Sequence, residues 1–306
     1  NTDWHTASNW GNGSVPSANA GVSVSASDIS ISSADVIVSS LVVLNGRTVT
    51  IGAGRTLTVN GDLGLSSGSI TGPGDLVVNG GLRVGGNIDI SGSVTVNGDL
   101  YLSGGILSPV GGVDVTACHT SAISGGSTVS FVVSKLTRCV GPGAAYRFPV
   151  GSGGVYSPVD LSSVTGNGQF SIATKTGPYP GLATGLPANR LQRWWNLDAS
   201  GISQVNLVFN YLGTDVNGVE GRYRAYTING GSANLVPTLI NRDLNTASVS
   251  GLNTFSDITL AEGPINFENL KGRIRTPSNR GADRVLVSLT DDSGNVRYAV
   301  CNNVGY

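Results

Sequence analysis

The sequence predicts an all-β chain: an N-terminal parallel β-helix (solenoid), then a β-sandwich, then a short, partial β module. Three observations carry this. A short alternation of apolar and polar residues closed by Asn-Gly recurs every 18 or 19 residues, with Asn60, Asn79 and Asn97 as its markers. Glycine supplies 45 of 306 residues and charged residues only 12%, where about 7% and about 25% are usual. Beyond about residue 145 that period is lost, and longer alternations separated by Gly, Pro and Asn take over, with no strong helical period. The expected division is 1–142, 143–263 and 264–306.

The first element is a cap. A solenoid exposes an open coil at its end, which must be covered. Trp4 and Trp10, with Val15-Pro16 following, are apolar enough to cover one. A sugar-binding platform is the second reading of these two tryptophans.

The solenoid follows. Thr56-Leu57-Thr58-Val59-Asn60-Gly61, Asp75-Leu76-Val77-Val78-Asn79-Gly80 and Ser93-Val94-Thr95-Val96-Asn97-Gly98 are copies of one unit, and Leu41 to Gly46 is a looser one. Asn and Gly tolerate positive φ, so each pair is expected to turn the chain between short strands. A meander of hairpins would use the same signal. A period of 18–19 favours coils of two or three strands, stacked about 4.8 Å apart. Leu and Val then point inward, and Ser, Thr, Asn and Asp outward.

Cys118 and Cys139 lie 21 residues apart on either side of a strand-like stretch. A disulfide between them would suit an oxidising compartment; two buried thiols are the alternative. Cys301 is left over, either buried and free or paired with another chain.

In the middle region, strands are expected at 146–150, 157–161, 169–174, 192–198, 203–211, 222–228, 235–240, 246–250 and 255–261. Trp194 and Trp195 are neighbours in one of them and so face opposite ways. One belongs to the core, and the other to the outer face or a contact; a ligand platform is the sharper reading.

The tail reads as three strands, Phe267 to Arg275, Val285 to Leu289 and Val296 to Val300, with Asp291 to Asn295 as a turn. Calcium at that turn would need a distal Glu that is not there. Three strands cannot enclose a two-sheet core. Docking on the middle region, processing, or strands supplied by another chain would complete it. Cys301 and Tyr306 are the candidate intersubunit residues.

These pieces resemble known modules. The Trp4, Asn9-Trp10, Val15-Pro16 opening and the Gly/Asn-rich coils are similar to large bacterial surface and autotransporter-like adhesins. So are Phe148-Pro149-Val150-Gly151, Tyr156-Ser157-Pro158-Val159, Arg193-Trp194-Trp195 and Phe255 to Glu262 in the middle. Lys271-Gly272-Arg273-Ile274, Gly281 to Thr290 and Asn303-Val304-Gly305-Tyr306 resemble the carboxypeptidase-regulatory-like (prealbumin-like) module, which implies a partial immunoglobulin-like or prealbumin-like tail that ends before the family's later strands. The resemblance implies secreted, non-catalytic surface parts and carries no catalytic residues.

Chemistry is sparse. His5 and His119 are the only histidines, and no metal-ligand spacing accompanies them. Parallel β-helices can also host glycan-cleaving sites, which need clustered carboxylates. Here Asp62, Asp75, Asp89, Asp99 and Asp114 are expected as solvated turn residues. No catalytic residue, metal or cofactor is assigned. Net charge is −1, so no basic field attracts nucleic acid, and no apolar run is long enough to span a bilayer. The chain lacks Met, and a signal peptide is expected to have been removed. Two functional expectations result. The first is a non-enzymatic extracellular structural or adhesive surface protein that self-assembles as a homo-oligomer or polymer. The second is a carbohydrate-binding or glycan-processing module for surface glycans.

Overall fold

The computed structural model describes residues 2–181, 183–263, 276–278, 280, 284–290 and 296–300. It is all-β, with short 3-10 turns as its only helical segments among the described residues. Residues 21–140 form a parallel β-solenoid: three faces of parallel strands wound into about six coils. The first face stacks Gly21–Val24, Ser40–Val43, Leu63–Ser66, Leu82–Gly85, Leu100–Leu102 and Ile123–Gly125. The second stacks Ile29–Ile31, Thr48–Ile51, Ser69–Gly72 and Ile88–Ile90, and single bridges at Leu107, Val132 and Val150 continue it. The third stacks Val36–Val38, Thr56–Val59, Asp75–Val78, Val94–Val96, Val113–Val115 and Leu136–Val140.

Alternation within each strand selects the inner face. Leu41, Leu63, Leu82 and Leu100 are register partners in one inward row, and all are buried. Val38, Val59, Val78, Val96 and Val115 form another. Each such side chain contributes about 1.5–3 kcal/mol relative to exposure, which makes coil stacking the source of stability.

The Asn-Gly corners work differently from the expectation. Only Asn45 and Gly46 have positive φ, at 55° and 69°; the pairs at 60–61, 79–80 and 97–98 do not. Glycine is required there by closeness. A Cβ on Gly80 would lie 2.5 Å from the Gly61 carbonyl carbon, and one on Gly98 2.4 Å from the Gly80 oxygen. The asparagines form a ladder instead: Asn79 Nδ2 donates to Asn60 Oδ1 at 3.1 Å, and Asn97 Nδ2 to Asn79 Oδ1 at 2.7 Å.

The N-terminal cap is present. Trp4 is buried against the first coil, and Trp10 meets it edge-on at 4.7 Å while donating Nε1–H to the Trp4 carbonyl at 2.7 Å. Asp3 accepts hydrogen bonds from the Ser32 and Ser33 hydroxyls and from the His5 N–H, which holds its carboxyl well below the usual range.

At the other end the valine row terminates in Arg138, the register partner of Val115. Its guanidinium is buried and donates to the carbonyls of Arg147 at 3.1 Å and Thr120 at 3.0 Å. The Tyr146 ring faces it at 4.9 Å. Burial lowers its pKa to about 10, so it remains a cation at neutral pH. The neighbouring Cys139 is bridged to Cys118, a closure contributing about 3 kcal/mol in the chain-entropy account.

Residues 143–263, expected as a β-sandwich, continue the third face. Leu136–Val140 takes an antiparallel partner, Val159–Thr176, and that strand pairs with Arg190–Asn210. These two strands each join a pair of expected ones. Register shifts between Ser162 and Gln169 bend them where breaks are predicted. Further strands are Tyr223–Asn229, Ser232–Val236, Thr238–Asn241, Thr246–Leu252 and Asp257–Glu262. Trp195 is fully buried and packs on Phe209 at 4.6 Å. Arg193 is buried too, and its guanidinium meets Asp215 through two hydrogen bonds of 2.7 and 3.3 Å. In the tail, Leu286–Thr290 pairs antiparallel with Val296–Val300, as the alternation predicts. The first expected tail strand and the 291–295 turn lie outside the described residues.

Candidate binding face

Four acidic residues of the solenoid follow one rule. A carboxylate at the start of one strand accepts the backbone N–H of the equivalent place one coil later. Asp28 takes Thr48 at 3.0 Å, Asp35 takes Thr56 at 3.1 Å, Asp62 takes Gly81 at 2.8 Å and Asp75 takes Ser93 at 2.7 Å. Asn87 does the same for Ile106 at 2.9 Å. Charged acceptors make the stronger hydrogen bonds, so these side chains staple coil to coil. Asp62 and Asp75 are therefore more than the solvated turn residues expected from the sequence.

Asp99 instead meets His119 Nε2 at 2.8 Å, and Ser121 Oγ lies 3.0 Å from His119 Nδ1. The distances suit a Ser–His–Asp relay, but the nitrogens are exchanged relative to that relay. Asp99 and His119 are well exposed, and none of the three side chains lines the clefts of about 670, 500, 410 and 360 Å³ found among the described residues. Among the described residues no group of three His, Cys, Asp or Glu side chains could hold a metal ion, and no helix is long and apolar enough to cross a membrane.

The four tryptophans separate into two kinds. Trp4 and Trp195 are buried, which removes them as ligand platforms; each is held by the core it fills. Trp10 packs against the same core as Trp4. Trp194 alternates to the opposite side of its strand and meets Tyr179 edge-on at 5.2 Å. Cys301 and Tyr306 lie outside the described residues.

The outer surface of the third face carries a polar row that sequence reasoning missed. Thr95, Asp114, Thr137, Ser171 and Asp198 are successive register partners across five neighbouring strands. Four strand spacings give the row a length of about 19 Å. It floors a cleft of about 360 Å³ with Lys135 and Gln169 on its walls. Asp198 also lines a second cleft of about 410 Å³, beside Tyr179, Asn196 and Asp257. Asp198 thus borders both clefts, which lie on either side of it.

These groups differ in how far they are already satisfied. Asp257 accepts from Tyr179 Oη at 3.1 Å and from Asn196 Nδ2 at 2.8 Å, and Thr137 and Ser171 share a hydroxyl contact of 2.8 Å. Asp114 is half-buried, and its Oδ1 has no hydrogen-bond partner. Burial raises its pKa, with the nearby Lys135 ammonium opposing the rise. Asp198 is exposed. A cleft of about 670 Å³ beside Arg222 contrasts with this. Its Glu262 is saturated by Arg222 at 3.3 Å, Asn189 at 3.2 Å and the Val219 N–H at 2.7 Å. The expectation that Asp114 is a plain solvated turn residue is corrected: it lies mid-strand, on the sheet's outer side. The missed signal was the polar member of each alternation, Thr95, Asp114 and Thr137, recurring at coil spacing.

Comparisons with protein-family models, curated proteins and solved structures find no match to the chain.

Proposed function

We propose that this chain is a non-enzymatic extracellular structural or adhesive protein of a microbial surface. The single observation that carries the reading is the stapling rule: Asp28, Asp35, Asp62 and Asp75 are each committed to the backbone of the next coil. Carboxylates used this way hold a rod together, and none of the four lines the clefts described above. The Cys118–Cys139 bridge supports an oxidising compartment, and the near-zero charge supports an inert exterior. The resemblance of the opening and the tail to surface adhesins and a prealbumin-like module belongs to this same proposal.

Polymerisation by strand complementation is a second reading, favoured by a specific feature. Ser232–Val236 ends its sheet, with a single bridge from Thr184 at Ser232 and the rest of its outer edge open, and the exposed Leu235 and Leu239 flank a largely apolar groove of about 500 Å³. The tail hairpin exposes Leu286 and Val300. A two-stranded hairpin is marginal alone, and an open edge invites a partner strand. The tail of a second copy is the proposed occupant. Negative-stain imaging and sedimentation of purified chain test this. Ordered polymers that dissociate on Leu235→Lys support it, and monodisperse monomers at high concentration refute it.

A further inference from the structure

The row on the third face has the attributes of a ligand track. Its polar side chains come one per strand at a fixed spacing; Ser171 is buried beneath its contact with Thr137, and Thr95, Asp114, Thr137 and Asp198 present the accessible groups along a straight line. A ligand matching that pattern is itself a linear repeat of hydroxyl-bearing units. The clefts are open and shallow rather than enclosed, which suits a chain that passes through rather than a small molecule that is swallowed. Tyr179, braced edge-on by Trp194, lies at one end of the track. An aromatic there offers an apolar surface to the C–H face of a sugar ring.

Charge narrows the ligand. Asp114, Asp198 and Asp257 line the two clefts, against one ammonium, Lys135. A uronate chain would be repelled by that field, whereas an amine-bearing one would be drawn to it. Asp198 is exposed and borders both clefts, so a protonated amine can reach it without moving the sheet. We propose that the Thr95–Asp114–Thr137–Ser171–Asp198 row and the adjoining Tyr179 cleft bind an extended oligosaccharide that carries free amino groups. This goes beyond the structural reading and holds for a monomer as well as for a polymer.

The test is titration of the full chain with three hexasaccharides, glucosamine, N-acetylglucosamine and galacturonate, read by calorimetry and by tryptophan fluorescence. The glucosamine chain is expected to bind at least tenfold more tightly than either other. Asp198→Asn, a substitution at an exposed side chain, is expected to weaken that binding about tenfold or more, the range for a hydrogen bond to a charged group. Lys135→Ala is expected to leave binding equal or tighter. Absence of binding, equal binding of the galacturonate or acetylated chain, or an unaltered affinity in a folded Asp198→Asn protein would each overturn the assignment.

Discussion

Gly104 and Gly105 are neighbours in sequence, and the coil geometry assigns them opposite tolerances. A Cβ on Gly105 would lie 1.9 Å from the Gly86 carbonyl oxygen and 2.3 Å from its carbon; one on Gly104 would meet nothing nearer than 3.5 Å. Ordinary contact begins at about 3.5 Å, so Gly105→Ala must open the coil spacing by well over 1 Å. Two bonds span that corner, Ile88 N–H to the Ile106 carbonyl and Ile106 N–H to Asn87 Oδ1, both 2.9 Å. Opening by that much takes both out of bonding range. Their loss at about 1 kcal/mol each, added to an overpacking cost of about 1–3 kcal/mol, gives about 3–5 kcal/mol. Gly104→Ala is expected to change stability by less than about 0.5 kcal/mol. Urea unfolding followed by circular dichroism measures both. Equal midpoints for the two variants, or a larger loss at Gly104, would refute the argument that glycine is placed here by the closeness of stacked coils.

Three further outcomes follow from the same geometry. Replacing Cys118 and Cys139 together by Ser is expected to cost about 3 kcal/mol, seen as a lower urea midpoint that matches the reduced wild type; equal midpoints for the oxidised protein and the variant would contradict it. Arg138→Ala removes the guanidinium that binds the Thr120 and Arg147 carbonyls and leaves a cavity at the end of the valine row. About 3 kcal/mol or more is expected to be lost, and a neutral effect in the same assay would count against the capping role. Asp114 has a raised folded-state pKa, so the folded form holds its proton more tightly than the unfolded one. Its contribution is fully present below the unfolded value of 3.8 and is lost as pH rises through the folded value. Asp114→Asn should therefore be more stable than wild type at neutral pH, with the difference shrinking as pH falls toward 3.8; a constant difference across that range would show that ionisation is not its cause.

What was legible in the chain was whatever obeys a short period. The inward rows through Leu57, Leu76 and Val94 could be read directly, because alternation and the coil period both mark them, and so could the tryptophan cap. Less accessible were effects that depend on two coils at once. Gly80 reads as a turn residue, whereas its position is set by the Gly61 backbone against it. Asp75 reads as solvated, whereas Ser93, 18 residues away, is its partner. Gly166 and Gly201, with φ of 103° and 76°, look like strand breaks and in fact bend continuous strands. Arg138 was hidden most completely. A charged residue at an inward position contradicts the pattern on both sides of it, and only the end of the stack explains why it is tolerated. The candidate track was obscured for the opposite reason: Thr95, Asp114 and Thr137 look like ordinary outer-face residues until the antiparallel strands bring Ser171 and Asp198 into line with them.

In the proposed function, the acidic side chains of this chain brace coils and contact ligand without cutting it. Mass spectrometry of an oligosaccharide ladder incubated with the purified protein tests it most directly. Every chain length is expected to persist unchanged, including those that bind. Shorter products that disappear with Asp114→Asn or Asp198→Asn would show catalysis on the third face and contradict the account.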